Sequence, residues 1–174
     1  IGAGSFGTAI AVLLARGGVR TTLQTRTGEQ AQELEEKREN ERYLPGVELP
    51  QQLRIETVGS SIRRADYVLL AVPSAHLAGV ISGLTSAGLN RRAAIVSLSK
   101  GLVPPEGLPP TVVLAREFGE QRVGCVGGPA HAQEMVADGA ALVCASADEH
   151  LATGLSSFFA RAGVVCEPSS DPVG

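Results

Sequence analysis

Three glycines near the start of the chain have the spacing to hold a phosphorylated ligand. Gly2, Gly4 and Gly7 follow the G-x-G-x-x-G pattern. In such a turn the first glycine allows a positive φ, the second lets the backbone approach a pyrophosphate, and the third lets the next helix pack against the strand. The start of that helix adds N–H groups and the positive end of its dipole. The pattern predicts a dinucleotide site, with an ordinary strand-to-helix turn as the alternative.

Arg26 bears on which dinucleotide is bound. It follows Gly7 by 19 residues, where an NAD site usually places Asp or Glu against the ribose 2′-hydroxyl. An arginine there favours a 2′-phosphate, so the sequence predicts NADP in preference to NAD. Glu29 lies close by and could still contact a ribose. A surface arginine at a strand end is the alternative.

Other polar residues follow strands predicted later in the chain. Lys100 is placed where a lysine can hold a substrate phosphate or polarise a carbonyl, with a solvated surface lysine as the alternative. His131, after the turn at 127–129, is either a ligand contact or a polar residue at a helix start. His76, His131 and His150 show no metal-ligand spacing, so no metal site is predicted.

The elements that must position these residues alternate between strands and helices. A helix at 8–16 and a strand at 19–25 complete a βαβ unit around the glycine turn. The alternation predicts an α/β fold: a Rossmann-type doubly wound, mostly parallel sheet with helices on both faces and one crevice at the carboxyl ends of the strands. The other predicted strands are 53–58, 67–72, 93–98, 123–126, 141–145 and 163–166; the helices are 28–40, 60–65, 74–87, one ending at 118, 131–137 and 149–161, with a loop at 41–51.

Composition excludes several classes of partner. The net charge is −3 and only 3% of residues are aromatic, whereas a nucleic-acid surface usually has a basic face and stacking aromatics. The longest apolar stretch, 65–84, is interrupted by Asp66, Pro73 and His76. We therefore expect no nucleic-acid partner and no stable membrane insertion.

The cysteines and the chain ends give three further expectations. Cys125, Cys144 and Cys166 fall in apolar runs, so buried thiols in a reducing, cytoplasmic compartment are expected. The chain opens inside the glycine motif, although a strand feeding such a turn should have about five residues. We expect that strand to be truncated, and a domain boundary or truncation at 169–174.

Six short segments of the chain carry a family resemblance. They are G-A-G-S-F-G-T-A at 2–9, R-E-N-E-R-Y-L-P-G at 38–46, L-L-A-V-P-S at 69–74, S-K-G at 99–101, G-P-A-H-A-Q-E at 128–134 and D-P-V-G at 171–174. Together and in this order they resemble bacterial-type NAD(P)-dependent glycerol-3-phosphate dehydrogenases. The resemblance implies that residues 1–174 are the NAD(P)-binding Rossmann domain, without the helical substrate domain that follows it in the family.

The resemblance also implies which residues bind the cofactor. Ser5 and Phe6 would contact it in the glycine turn, and Arg26 would meet its adenosine end with Tyr43 nearby. Lys100 would contact both the nicotinamide cofactor and glycerol phosphate. The full set of implied cofactor-binding residues is Gly2, Gly4, Ser5, Phe6, Gly7, Arg26, Tyr43, Pro73, Lys100 and Ala132.

A phosphorylated small-molecule substrate is implied in the same way, bound by Lys100, Gly128, Ala130 and His131. The sequence departs from the family at two of these positions. The family usually has Ser or Thr at position 130 and Phe at position 131. A hydroxyl that would bind substrate is lost here, and whether His131 replaces it stays open.

The implied reaction is hydride transfer between NAD(P)H and dihydroxyacetone phosphate or sn-glycerol 3-phosphate, for glycerophospholipid synthesis. The general acid/base lysine is expected after Gly174, so this chain would bind cofactor without turning over substrate. A homodimer through the C-terminal domain stays open. The alternatives are another Rossmann dehydrogenase, acting on hydroxy acids or nucleotide sugars, and a non-catalytic NADP-binding module.

Overall fold

A computed structural model of the chain describes residues 1–59 and 62–173. Strands and helices alternate along the chain except at 39–70, where four of the described strands follow one another. The elements are α1 (Ser5–Arg16), β1 (Thr22–Thr25), α2 (Gly28–Lys37), β2 (Glu39–Asn40), β3 (Leu44–Glu48), β4 (Arg54–Thr57), β5 (Tyr67–Leu70), α3 (Leu77–Ser86), β6 (Ala94–Ser97), α4 (Pro110–Phe118), β7 (Val123–Gly127), α5 (Ala132–Asp138), β8 (Ala140–Ser146), α6 (Glu149–Ala160) and β9 (Val164–Ser169).

The strands form a mostly parallel arrangement, as predicted. β1 pairs with β4, and a second sheet has the order β5-β6-β7-β8-β9. Only the β7–β8 pair of that second sheet is antiparallel. The backbone of Ile1 and Gly2 connects the two sheets, because the N–H of Gly2 donates to Gln24 O (2.9 Å) and the N–H of Ala71 donates to Ile1 O (2.8 Å).

Helices cover both faces of the larger sheet, which confirms the doubly wound α/β class. On one face, Ile10 of α1 and Phe159 of α6 pack in a buried cluster with Val96. On the other face, Leu77 of α3 and Leu114 of α4 pack with other strand residues, including Ile95. Since Ile95 and Val96 are consecutive in β6, this strand is buried from both sides.

The segment at 28–51 differs most from the sequence prediction. The helix predicted at 28–40 ends at Lys37, because Arg38 adopts a left-handed conformation with φ 49°. Asn40 then belongs to β2, which pairs antiparallel with β3. β3 lies inside the loop predicted at 41–51. Buried Leu44 and Leu49 anchor this hairpin to the domain, a tertiary effect that the polar local sequence conceals.

Two smaller predictions need comment. Of the helix predicted at 60–65, residues 60 and 61 lie outside the described residues, and Ile62–Arg64 form a single 3-10 turn. Cys144 and Cys166 are buried as expected, but Cys125 is only half-buried. Burial raises the pKa of all three thiols. Among the helices of the described residues, none has the length and apolarity that a membrane crossing requires.

Candidate functional site

The glycine turn has the close contacts that its sequence predicts. Gly2 has φ 104°, and a β-carbon there would overlap the carbonyl oxygen of Ala71. At Gly7 a β-carbon would overlap the carbonyl oxygen of Gly2 and lie 2.8 Å from Ala71 Cβ. The first glycine therefore makes the turn, and the third brings α1 against it.

Gly4 has a different environment, which suits a ligand. It precedes α1 with an ordinary φ of −80°, and no side chain caps the helix or places a carboxylate in its first turn. A β-carbon at Gly4 would meet nothing within 4 Å. The turn thus presents helix N–H groups toward open space, beside the exposed Ser5 and the half-buried Phe6. This geometry favours an anion.

Arg26 lies at the carboxyl end of β1, the strand to which the glycine turn is hydrogen-bonded. It directly follows β1, two residues after Gln24, whose carbonyl accepts the Gly2 N–H. The next residue, Thr27, caps α2 by accepting the N–H of Gln30 at 3.2 Å. Arg26 itself is exposed, and within the described part of the chain its guanidinium forms no ion pair.

The loops after β5 and β6 are tied to each other. Ser99 Oγ donates to the carbonyl of Val72 at 2.6 Å, and a β-carbon at Gly101 would lie 3.9 Å from Ser74 Oγ. Pro73 and Lys100 therefore lie on adjacent loops at the carboxyl ends of paired strands. Lys100 is exposed, and no ion pair with another described residue holds its ammonium.

The segment after β7 carries the predicted substrate residues. A β-carbon at Gly128 would lie 3.0 Å from Leu142 Cδ2, so this residue has little room for a side chain. Ala130 and Phe6 both pack against the buried cluster that contains Ile10, and α5 packs against α1. His131 precedes α5 and is exposed, and its side chain does not cap the helix. Ala132, the first residue of α5, is half-buried.

The hairpin of β2 and β3 contacts both the glycine turn and α5. Tyr43, at its tip, is half-buried, with the Arg42 guanidinium 5.1 Å from the centre of its ring. Beyond it, Gln133 Nε2 of α5 donates to the carbonyl of Pro45 at 3.0 Å. Tyr43 is thereby placed near the start of α5.

Sequence reasoning missed Asn40, which lies behind the turn. Its Nδ2 donates to Ala3 O at 3.0 Å and to Thr8 Oγ1 at 2.8 Å. The sequence instead predicts this residue as the end of a polar helix at 28–40. The available signal was its position in the R-E-N-E-R-Y-L-P-G segment, the same segment that carries Tyr43.

A large cavity of the described residues lies elsewhere. It has a volume of about 720 Å³ and lies between β1 and β5, lined by residues of both strands and by Gly2 and Gly7. Arg26, Lys100 and His131 do not line it. The predicted site is thus an open edge along the ends of the strands. The structure joins the glycine turn closely to Ala71 and to the Asn40 hairpin, whereas Arg26 and Lys100 approach it only as exposed side chains on neighbouring loops.

Comparison with known proteins identifies the family. A family profile described as NAD-dependent glycerol-3-phosphate dehydrogenase N-terminus matches residues 1–152. The chain belongs to this family. Relatives named glycerol-3-phosphate dehydrogenase (NAD(P)+) include one from Deinococcus radiodurans, 38% identical over 90% of this chain, and one from Sinorhizobium fredii, 36% identical over 100% of it.

The fold comparison agrees with the family assignment. The crystal structure of glycerol-3-phosphate dehydrogenase from Coxiella burnetii matches 98% of this chain with a TM-score of 0.88 and 27% sequence identity. The chain covers 52% of that protein. It likewise covers 46% of the Deinococcus and 53% of the Sinorhizobium relative, so it spans about half of their length.

Proposed function

We propose that the chain is the NADP-preferring cofactor-binding domain of a glycerol-3-phosphate dehydrogenase. The whole enzyme would transfer hydride between NAD(P)H and dihydroxyacetone phosphate or sn-glycerol 3-phosphate, for glycerophospholipid synthesis in the cytoplasm. The observation that carries the proposal is the open glycine turn of a family member, set beside the loops that hold Arg26 and Lys100.

The residues present fit a dinucleotide. The open side of Gly4 and the uncapped start of α1 suit a pyrophosphate. The exposed guanidinium of Arg26 suits a 2′-phosphate. Tyr43 on the hairpin would lie near the adenosine end, and Phe6 and Pro73 would border the turn. When bound, the nicotinamide supplies the hydride.

The substrate would bind further along the same edge. In this proposal Lys100 neutralises the charge of its phosphate and Gly128, on the segment after β7, contacts the substrate. Ala130 offers no hydroxyl, so the His131 imidazole is the remaining polar side chain of that pair. The general acid/base lysine, and a homodimer interface if there is one, would belong to the part of the relatives that this chain does not cover.

NADPH and NADH titrations of the Arg26→Gln variant test the cofactor preference. Removing the guanidinium should weaken NADPH binding about tenfold and leave NADH nearly unchanged, since only NADPH carries the 2′-phosphate. Arg20→Gln is the matched control, because Arg20 is an exposed arginine at the other end of β1. Equal affinity of the unmodified chain for NADPH and NADH would overturn the preference.

Steady-state assays of a longer chain, extended to the length of the relatives, test the reaction. We expect NADPH oxidation that depends on dihydroxyacetone phosphate, and a large rise in KM for Lys100→Met. The 174-residue chain alone should bind NADPH without turnover. Oxidation with a 2-keto acid or a nucleotide sugar instead would favour the other dehydrogenase classes, and an inactive longer chain would favour a binding module.

The cavity between β1 and β5 bears on the domain organisation. β1 and β5 each pair on one edge only in the described chain, and their other edges face the cavity. The Ile1 amine donates to Leu69 O at 2.7 Å, as a strand inserted there would do. We propose that this cavity receives an extended apolar segment preceding Ile1 in a longer chain.

An added N-terminal segment tests that proposal. Five added β-branched apolar residues should raise the melting temperature and protect the amides of Gln24 and Leu69 from hydrogen exchange. Five added Gly and Ser residues form the control. Equal melting temperatures and equal exchange in the two extended chains would contradict the proposal.

A further inference from the structure

The Asn40 side chain lies outside the glycine motif and bonds to the turn from behind. It is 3% exposed, and its side-chain amide nitrogen donates the hydrogen bonds to Ala3 O and Thr8 Oγ1. The orientation of the amide follows from chemistry, because the carbonyl of Ala3 can only accept a hydrogen bond. The second acceptor, Thr8 Oγ1, belongs to a fully buried residue of α1. Asn40 thus connects the turn to the helix that follows it.

The bond to Ala3 determines the orientation of one peptide group. In a planar trans peptide the carbonyl and the next N–H point in opposite directions. Because Asn40 holds the Ala3 carbonyl on the buried side, the N–H of Gly4 is directed to the opposite side. The space beside Gly4 is open, since a β-carbon there would meet nothing within 4 Å.

We propose that Asn40 is a positioning residue, which orients the Gly4 N–H toward the pyrophosphate of the dinucleotide. This inference rests on the proposed function. The hairpin geometry supports it, since the Asn40 carbonyl accepts the N–H of Tyr43 at 3.1 Å. The same residue therefore holds the glycine turn through its side chain and the turn carrying Tyr43 through its backbone.

Asn40→Leu tests the inference without adding charge. It keeps approximately the shape of the side chain and removes both donors. We expect the affinity for NADPH and for ADP-ribose, which both contain the pyrophosphate, to fall about tenfold, the effect of losing one well-placed hydrogen bond. Affinity for adenosine 2′-monophosphate, which lacks the pyrophosphate, should change less than about twofold on this scale.

Thr8→Val is the matched control. It removes the second acceptor of Asn40 and leaves the bond to Ala3 intact, so the melting temperature should fall while NADPH affinity stays within about twofold. If Asn40→Leu shows no cooperative unfolding transition, Asn40→Ser is measured in its place, because its shorter side chain cannot span both acceptors.

The outcomes separate a positioning role from a structural one. Equal loss of affinity for all three ligands, or an equal loss in Thr8→Val, would overturn the inference. So would unchanged NADPH affinity in Asn40→Leu while the unmodified chain binds NADPH. Failure of the unmodified chain to bind either NADPH or NADH would instead overturn the proposed function itself.

Discussion

Alanine substitutions at Gly7 and Gly4 should separate the packing role of the turn from its binding role. At Gly7 the added carbon would overlap the Gly2 carbonyl oxygen and lie 2.8 Å from Ala71 Cβ. Neither neighbour can retreat easily, because the N–H of Ala71 is bonded to Ile1 O at 2.8 Å and the N–H of Gly2 to Gln24 O at 2.9 Å. Overpacking of this kind costs about 1–3 kcal/mol, and we expect about 2 kcal/mol for Gly7→Ala.

Gly4→Ala should have the opposite profile. Its β-carbon would meet nothing within 4 Å, and its φ of −80° suits alanine. The weaker capping preference of alanine costs less than about 1 kcal/mol. The added methyl would occupy the space proposed for the pyrophosphate, so NADPH affinity should fall at least about tenfold, equivalent to about 1.4 kcal/mol.

Urea unfolding followed by circular dichroism gives the two stabilities, and calorimetric titration with NADPH gives the affinities. Gly7→Ala should be the less stable variant, and Gly4→Ala should bind NADPH more weakly. The affinity of Gly7→Ala is measured under conditions where it is folded. Unchanged stability in Gly7→Ala would refute the packing argument. A Gly4→Ala variant that binds NADPH as tightly as the unmodified chain would refute the binding argument.

Two further predictions concern groups outside the site. Burial lowers the pKa of the Ile1 amine from 8.0 to about 6, so the unfolded chain binds more protons between these pH values and stability should rise with pH, by about 3 kcal/mol at most. N-terminal acetylation should remove that part of the pH dependence in parallel urea titrations; identical slopes would contradict it. Burial also raises the pKa of the Cys144 and Cys166 thiols, so both should react with a chromogenic disulfide reagent only on unfolding and half-buried Cys125 should react first; a different order would contradict the burial pattern.

The parts of the fold that follow from local sequence were predictable. The glycine spacing predicts the turn because it reflects steric limits at Gly2 and Gly7, which any fold with that turn must satisfy. The apolar run at 93–98 predicts a strand buried on both faces, and β6 is one. The predictions for Arg26 and Lys100 follow from the same kind of reasoning, because the strand ends define one edge of such a sheet.

The remaining parts of the fold depend on contacts between segments that are distant in sequence. The segment at 38–49 is mostly polar, and its hairpin is held in place because Asn40, Leu44 and Leu49 are buried. The antiparallel direction of β8 is also invisible locally, since a buried strand has the same apolar pattern in either direction. The cavity between β1 and β5 appears only when the two strands are placed side by side.

Amide chemical-shift mapping of the 17.9 kDa chain during an NADPH titration tests the central claim most directly. If the glycine turn holds the dinucleotide, the largest changes should fall on the amides of Gly4, Ser5 and Phe6, with a second group around Arg26. Changes confined to residues lining the cavity between β1 and β5, such as Thr22 and Tyr67, would contradict the claim, as would the absence of any saturable change.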